Sequence, residues 1–215
     1  MTVPVTAAME FFLLGSLTVR SGGVTIPVAA GKQRAVLAAL LLDAGRVVPV
    51  DELAGALWGE APPASARVTV QTYVMRLRKT LGPAGRDRIE TRPGGYLISV
   101  DTAELDVTRF EALIRAARAA ARNGCWEAAA ARAREALVLW RGEPLADAGS
   151  DVLGLREAPR LAELRLQALE ARAEADLHLG QHAEVIAELG DLVAANPLRE
   201  RLRALLMLAL YRSGR

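Results

Sequence analysis

The sequence predicts a mainly α-helical protein with small antiparallel β-sheets, divided into two domains near residue 100. Long stretches rich in Ala, Leu, Arg and Glu favour helix. The hydrophobic content is 52% but the aromatic content is only 4%, so the core must consist mainly of aliphatic side chains. Short β-type runs are confined to the first half, whereas the second half reads as helix to its end.

The first domain opens with a pattern typical of a small antiparallel sheet. Residues 11–28 read FFLLGSLTVRSGGVTIPV. Short β-type runs alternate there with breaks at Gly15 and at residues 21–23. We therefore expect a small antiparallel sheet of short strands.

Two helices are expected next. Residues 31–44, GKQRAVLAALLLDA, are polar for one turn and then almost wholly apolar, which predicts a central buried helix ended by Gly45. Residues 47–49 form a short extended link. The second helix should run from 51 to 58 and end at Gly59.

The strongest helix of this half is predicted from about residue 64 to 81, with Gly82-Pro83 as its stop. At about 100° per residue, one stripe is apolar: Val70, Val74, Leu77 and Leu81. The opposite face is polar: Thr69, Thr72, Arg76 and Lys79. One face therefore packs on the core while the other is free to bind.

A hairpin-like segment follows this helix. Residues 88–100, RIETRPGGYLISV, alternate in polarity and turn at residues 92–95, as a small β-wing would. The predicted order is a sheet, three helices and a hairpin. This is the order of the OmpR-type winged helix-turn-helix, in which the third helix contacts the DNA bases. Such a helix fits the DNA major groove.

Charge supports a polyanionic partner. Residues 1–100 carry 11 Lys and Arg against 7 Asp and Glu, whereas residues 101–215 carry 16 against 18. Within residues 67–92 the count is 7 basic to 2 acidic. Clustered positive charge of this kind is typical of a DNA-binding surface, although a solvated helix face is the plainer alternative.

Recognition should divide between bases and phosphates. Three side chains are expected at base edges: Thr72, Arg76 and, as a secondary candidate, Gln71. Seven are expected at phosphates: Arg67, Thr69, Arg78, Lys79, Lys32, Arg34 and Arg92. Related winged helices often place an arginine after the wing Gly-Tyr for the minor groove. Leu97 stands there instead, which argues against minor-groove reading.

The second half, residues 101–215, contains three similar turns around Gly124, Gly180 and Gly214. The last two glycines are 34 residues apart, which is the period of a tetratricopeptide repeat. The first two are 56 apart, and an insertion around residues 140–159 accounts for the surplus. We therefore predict a tetratricopeptide-like, all-α domain; coincidental helical spacing is the alternative.

These segments together resemble the Streptomyces antibiotic regulatory protein family, the AfsR/DnrI/RedD type. The resemblance rests on KQRAVLAALLL, the LWGE-x-PP junction, VQTYVMRLRKTLG and the PGGY wing, and it covers nearly the whole chain. The second half resembles the bacterial transcriptional activation domain of the same family. The two domains are expected at residues 1–100 and 101–215.

The resemblance implies an activator of a secondary-metabolite gene cluster that binds direct repeats near the −35 promoter region. It also implies head-to-tail protomers on DNA and recruitment of RNA polymerase holoenzyme through its sigma factor. Two alternatives remain open. One is a tetratricopeptide-type protein-binding adaptor; the other is the N-terminal part of a larger ATPase-containing regulator, since the chain stops where a further repeat helix should begin.

Enzymatic chemistry finds no support in the sequence. There is no phosphate-binding GxxxxGK[ST] loop, and His178 and His182 lack further metal-ligating partners, so neither cofactor nor metal is expected. The single cysteine, Cys125, permits no internal disulfide. The longest apolar run, 35–42, is too short to span a bilayer. We expect a soluble cytoplasmic protein that associates with the nucleoid and has no enzymatic step.

Overall fold

The computed structural model describes residues 9–29 and 31–214. Its strands are β1 (Met9–Phe12), β2 (Thr18–Ser21), β3 (Val24–Ile26), β4 (Val48–Pro49), β5 (Ile89–Arg92) and β6 (Gly95–Ile98). Its helices are α1 (Lys32–Leu42), α2 (Val50–Trp58), α3 (Ala66–Arg86), α4 (Asp106–Arg122), α5 (Trp126–Val138), α6 (Asp151–His178), α7 (His182–Ala195) and α8 (Glu200–Arg212). The mainly α-helical class with small antiparallel sheets is confirmed.

Two compact units make up the chain. One comprises the residues up to 109 together with 140–161; the other comprises 110–139 and 162 onward. The first unit contains the sheets and the first three helices, and the second is wholly helical. The division into domains at residue 100 stays a prediction.

Two three-stranded sheets form within the first unit. The first is a meander of order β1-β2-β3, with Phe11 opposite Val19. The second has the order β4-β6-β5, so the wing hairpin is joined by a third strand. Val48 in that strand pairs with Tyr96. The segment expected to be an extended link therefore anchors the wing to the chain between α1 and α2.

The three helices of the first unit lie close to their predicted positions. α1 is buried on nearly every side, from Ala35 to Leu41, which explains its almost wholly apolar sequence. α3 is interrupted at Gly82, whose φ of 64° and ψ of −166° are not helical, and a short turn then continues to Arg86. The regular part of α3 thus stops at the predicted Gly-Pro step.

Asp106 is a buried carboxylate that ties the start of α4 to the segment between β1 and β2. Its two oxygens accept hydrogen bonds from the backbone N–H of Leu13 at 2.8 and 2.9 Å, and one accepts from that of Leu14 at 2.9 Å. Arg141 lies 3.6 Å from the same carboxylate. Burial raises the pKa of Asp106, although these donors and Arg141 act in the opposite direction.

Residues 140–159, which the sequence predicts to be an insertion, pack against the earlier part of the first unit. The Asp147 carboxylate accepts a hydrogen bond from the backbone N–H of Leu17 at 2.7 Å. The Ser150 hydroxyl donates to the carbonyl of Ala56. Contacts of this kind join residues 140–161 to both the first sheet and α2, which is why they belong to the same compact unit.

Gly149 marks the tightest approach in this segment. Its φ is +71°, and a Cβ there would lie 2.3 Å from the carbonyl oxygen of Gly31. We expect Gly149→Ala to lower the free energy of unfolding by about 1–3 kcal/mol in a urea titration, because both the backbone and the neighbouring chain would have to shift.

The matched control for this substitution is Gly154→Ala. Gly154 lies within α6, and a Cβ there meets nothing within 4 Å. This substitution should raise the free energy of unfolding by about 0.5–1 kcal/mol, since alanine favours helix. Equal effects of the two substitutions would contradict the close approach at Gly149.

The second unit is built from helices joined by similar tight turns. Gly124, Gly180 and Gly214 have φ values of 73°, 82° and 73°, and each donates its N–H to the carbonyl three residues earlier. The predicted likeness of the three turns is therefore confirmed. The main apolar core of the second unit lies between α6, α7 and α8. It contains Ala173, Leu177, Val185, Leu189, Leu202, Leu205 and Ala209.

Packing around the middle turn differs in one detail from the sequence-based expectation. The sequence around Gly180 predicts that Leu177, Leu179, Ala183 and Ile186 pack between the helices. Leu177 is buried and Leu179 and Ile186 pack against apolar clusters, but Ala183 is exposed. Val185 is the buried residue of that turn, because the inward face of α7 is set by its neighbours α6 and α8.

Candidate nucleic-acid interface

The candidate interface is the outer face of α3, which is held in place by its inner face. Val70, Val74 and Leu77 are fully buried and Leu81 nearly so, as their spacing predicts. They pack towards α1 and α2, which lie against α3. Because this stripe is inaccessible, the helix presents a fixed set of residues to solvent.

Arg76 and Lys79 form the cationic part of that outer face. Both side chains are exposed. Neither has a hydrogen bond or an ion pair to any residue in the part of the chain that the structure describes. Two positive charges on one face of a rigid helix, with no internal partner, can bind an external anion without breaking an existing contact.

The two threonines of this face are partly occupied by their own helix. The Thr69 hydroxyl donates to the carbonyl of Ser65 at 2.9 Å, and the Thr72 hydroxyl donates to that of Val68 at 3.0 Å. Each hydroxyl oxygen can still accept a hydrogen bond. Gln71 is exposed at the side of the same face.

Arg78, predicted at phosphate, faces the wing instead. Its Nε and Nη2 atoms donate to the carbonyl of Ile89 at 2.9 and 2.7 Å, and Nη2 also donates to the Thr91 hydroxyl at 2.9 Å. Its guanidinium carbon lies 5.9 Å from the centre of the Tyr96 ring. These contacts fix the wing relative to α3, and they leave Arg78 poorly placed for a phosphate.

Two further predicted phosphate residues are engaged in surface ion pairs. Arg67 lies 3.2 Å from Asp51, and both side chains are well exposed. Arg92, at the tip of the wing, pairs with Glu90 on its own strand. Exposed pairs of this kind contribute little stability, so either arginine can exchange its carboxylate for a phosphate at small cost.

Lys32 and Arg34 have internal roles that disfavour the predicted phosphate contacts. The Lys32 ammonium donates to the carbonyl of Leu57. The Arg34 guanidinium bonds the Asp147 carboxylate at 2.7 Å and also the Leu17 carbonyl, and its side chain is only 15% exposed. We therefore leave both residues out of the interface proposed below.

Two apolar side chains on the outer face of α3 were missed by sequence reasoning. Val68 and Met75 are each 64% exposed. Their spacing in the sequence was a signal that could have found them. Because they are seven residues apart, Val68 and Met75 share one face of the helix, and this face is the polar one and not the buried stripe. Their exposure shows that the outer face combines cations with apolar groups.

The wing is held close to β4 by a glycine. A Cβ at Gly95 would lie 2.1 Å from the carbonyl oxygen of Val48, so only glycine allows the two strands to pair here. Leu97, which stands where related wings often carry arginine, is half-buried. The wing therefore offers Arg92 at its turn as its cationic group.

Within residues 9–29 and 31–214, no three His, Cys, Asp or Glu side chains converge as a metal site would require. The His178 ring stacks on that of Trp126, with centroids 3.6 Å apart. None of the helices described is long and apolar enough to cross a membrane.

Comparison with known proteins decides the family. A family described as "Transcriptional regulatory protein, C terminal" matches residues 28–98, and one described as "Bacterial transcriptional activator domain" matches residues 105–215. The regulatory protein DnrI of Streptomyces peucetius is 43% identical over 96% of this chain and 79% of its own length. The chain belongs to the Streptomyces antibiotic regulatory protein family. It is a transcriptional regulator of that type.

Longer members of this Streptomyces antibiotic regulatory protein family are also similar. The regulatory protein AfsR of Streptomyces griseus is 43% identical over the whole chain, which spans only 22% of AfsR. A solved structure of Mycobacterium tuberculosis EmbR in complex with a low affinity phosphopeptide has a TM-score of 0.92 and 39% identity, over 97% of this chain and 56% of EmbR. The winged helix followed by an all-α domain is therefore confirmed.

Proposed function

We propose that this chain is a sequence-specific DNA-binding activator of transcription that inserts α3 into the major groove. The observation that carries the proposal is the outer face of α3. Arg76 and Lys79 are exposed and unpaired within the described residues, whereas the opposite stripe is fully packed. A helix with this division can approach DNA closely without loss of core contacts.

Base reading is assigned to Arg76, Thr72 and Gln71. The Arg76 guanidinium can donate two hydrogen bonds to guanine O6 and N7, which distinguishes guanine from the other bases. Thr72 lies one turn before Arg76, and Gln71 flanks them. Because a bidentate contact is the more discriminating one, Arg76 is the residue on which sequence preference should depend most.

Phosphate contacts are assigned to the residues around this centre. Among the residues that the structure describes, Lys79 has no partner, and Arg67 and Arg92 have only exposed ion pairs. The Thr69 hydroxyl keeps an acceptor oxygen. Phosphate contacts position the helix but carry no sequence information. Arg78 acts indirectly, because its bonds to β5 set the position of the wing.

Activation is assigned to the helical half of the chain. We place DNA reading in residues 1–100 and the contact with RNA polymerase holoenzyme, through its sigma factor, in residues 101–215. The second half carries 16 basic against 18 acidic residues, so it lacks the positive excess that DNA binding requires. The relatives DnrI and AfsR are regulatory proteins of Streptomyces, and the target proposed here is a secondary-metabolite gene cluster.

Two protomers are proposed to bind head to tail on direct repeats near the −35 region. The basic excess within 67–92 is seven against two, so one domain can neutralise only a few phosphates and should bind weakly at physiological salt. Protomers on half-sites about 10–11 base pairs apart lie on the same side of the duplex. No enzymatic step is involved, and the proposal places the chain at the nucleoid.

The test is binding of the full chain to DNA with altered spacing between half-sites. Sites are first selected from a random duplex library and located by footprinting. Inserting about five base pairs between the repeats should abolish cooperative binding in gel shifts, because it moves one protomer to the far side of the helix. Inserting about ten base pairs should restore part of it.

Three results would contradict the proposal. Failure to enrich any sequence would remove the sequence-specific function itself. An inverted repeat in the footprint would replace the tandem arrangement with a symmetric dimer. Binding that is indifferent to the half-turn insertion would show that the protomers do not cooperate through a fixed geometry.

A further inference from the structure

The outer face of α3 contains an apolar patch beside Arg76. We define the apolar patch as Val68, Thr72 and Met75. Their spacing of four and then three residues places them in one continuous row on the helix surface. Val68 and Met75 are each 64% exposed, and Arg76 lies four residues beyond Thr72. Apolar side chains that are exposed together, beside polar and charged groups, mark a contact surface.

Hydrogen bonding within the helix makes this patch less polar than its sequence indicates. The Thr72 hydroxyl donates its proton to the carbonyl of Val68 at 3.0 Å, so it has none left for a base. Besides the acceptor oxygen of Thr72, the patch offers the apolar side chains of Val68 and Met75 and the threonine methyl. Of the groups in the major groove, only the C5-methyl of thymine is an apolar partner for them.

We propose that Met75 reads the C5-methyl group of a thymine beside the base pair contacted by Arg76, and that Val68 reads that of a second thymine farther along the same half-site. The inference rests on the proposed function, in which α3 lies in the major groove. Residues 68 and 75 are about 10 Å apart along the helix axis, comparable with about three base-pair steps. The two side chains therefore reach different base pairs. The half-site contains thymine at two positions about three base pairs apart, and the one contacted by Met75 lies beside the Arg76 contact.

The test measures how much each thymine methyl group contributes to binding affinity. Within a selected half-site, each thymine is replaced in turn by deoxyuridine, which lacks only the C5-methyl. Binding of the full chain should weaken about fourfold at each contacted position, the amount expected for one buried methyl group. Thymines outside the two contacted positions should show no change.

Variants of the protein then assign each methyl to a side chain. With Met75→Gln, which keeps the length of the side chain, the thymine-to-uracil affinity ratio should fall to about one at a single position. With Val68→Ala it should fall at a different position. The matched control is Met207→Gln on α8, where a methionine is 70% exposed on the helical unit; this variant should keep the wild-type ratio at both positions.

Separate outcomes overturn this inference and the proposed function. If no sequence is enriched, the proposed function fails. If a sequence is enriched but the wild-type chain binds thymine and uracil sites equally, only the inference fails. If Met75→Gln lowers cooperativity between protomers yet keeps the wild-type ratio, the patch contacts protein and the inference is wrong.

Discussion

Replacing Arg76 by alanine should weaken binding to a selected site by about 1–3 kcal/mol, about 5- to 150-fold. The guanidinium is exposed at the outer face of α3 without an internal partner among the described residues, so its removal leaves the fold intact. The preference of the protein for one base over the other three should weaken at a single position of the site only. Fluorescence anisotropy with the selected site and its single-base variants measures both effects.

Lys79→Ala is the informative comparison, because it removes the other unpaired cation of the same face. It should reduce affinity about equally for all sequences and lower the slope of log affinity against log salt by about one. Arg203→Ala, on the exposed side of α8, controls for the loss of one positive charge and should change neither quantity. If Arg76→Ala leaves base preference unchanged, the assignment of base reading to Arg76 is wrong.

Replacing Asp106 by alanine should lower the free energy of unfolding by about 2–5 kcal/mol. The carboxylate is the acceptor for the backbone N–H groups of Leu13 and Leu14, which are buried. Alanine leaves both donors without a partner and also removes the charge that faces Arg141. Each buried donor without an acceptor costs about 1–3 kcal/mol, and urea titration followed by circular dichroism measures the total.

Two further variants separate this role from a general effect of charge. Asp106→Asn keeps one acceptor oxygen and should lose less stability than Asp106→Ala. Asp191→Ala, at an exposed position of α7, should change the free energy of unfolding by no more than about 0.5 kcal/mol. A loss at Asp106→Ala as small as that of Asp191→Ala would show that the Leu13 and Leu14 donors find other acceptors.

Local sequence patterns were sufficient to predict α3 and its surroundings. The buried stripe of α3 follows from the spacing of Val70, Val74, Leu77 and Leu81, because a helix turns by about 100° per residue. The stop at Gly82 follows from the conformational freedom of glycine before proline. Exposure of Arg76 and Lys79 follows from the same periodicity, so the centre of the candidate interface was predictable.

The partners of the other cations could not be predicted in this way. Arg34 and Asp147 are 113 residues apart in sequence, and no periodic pattern connects positions so distant. Arg78 is the same type of residue as Arg76 and lies on the same helix. Its guanidinium nevertheless donates to the carbonyl of Ile89 in β5, because the wing packs on that side of α3. Whether a basic residue faces DNA or another segment thus depends on which segment lies next to it.

The sequence by itself determined the order of the elements, the packed and open faces of α3, and the family to which the chain belongs. Only the tertiary structure decided that residues 140–161 belong to the first unit and that Asp106 binds the segment between β1 and β2. It also decided that Lys32 and Arg34 bond to protein groups. The physical reason is the sequence separation over which each kind of interaction acts. Helical periodicity and turn formation depend on neighbours within a few residues, whereas a buried hydrogen bond or ion pair depends on segments that meet only after folding.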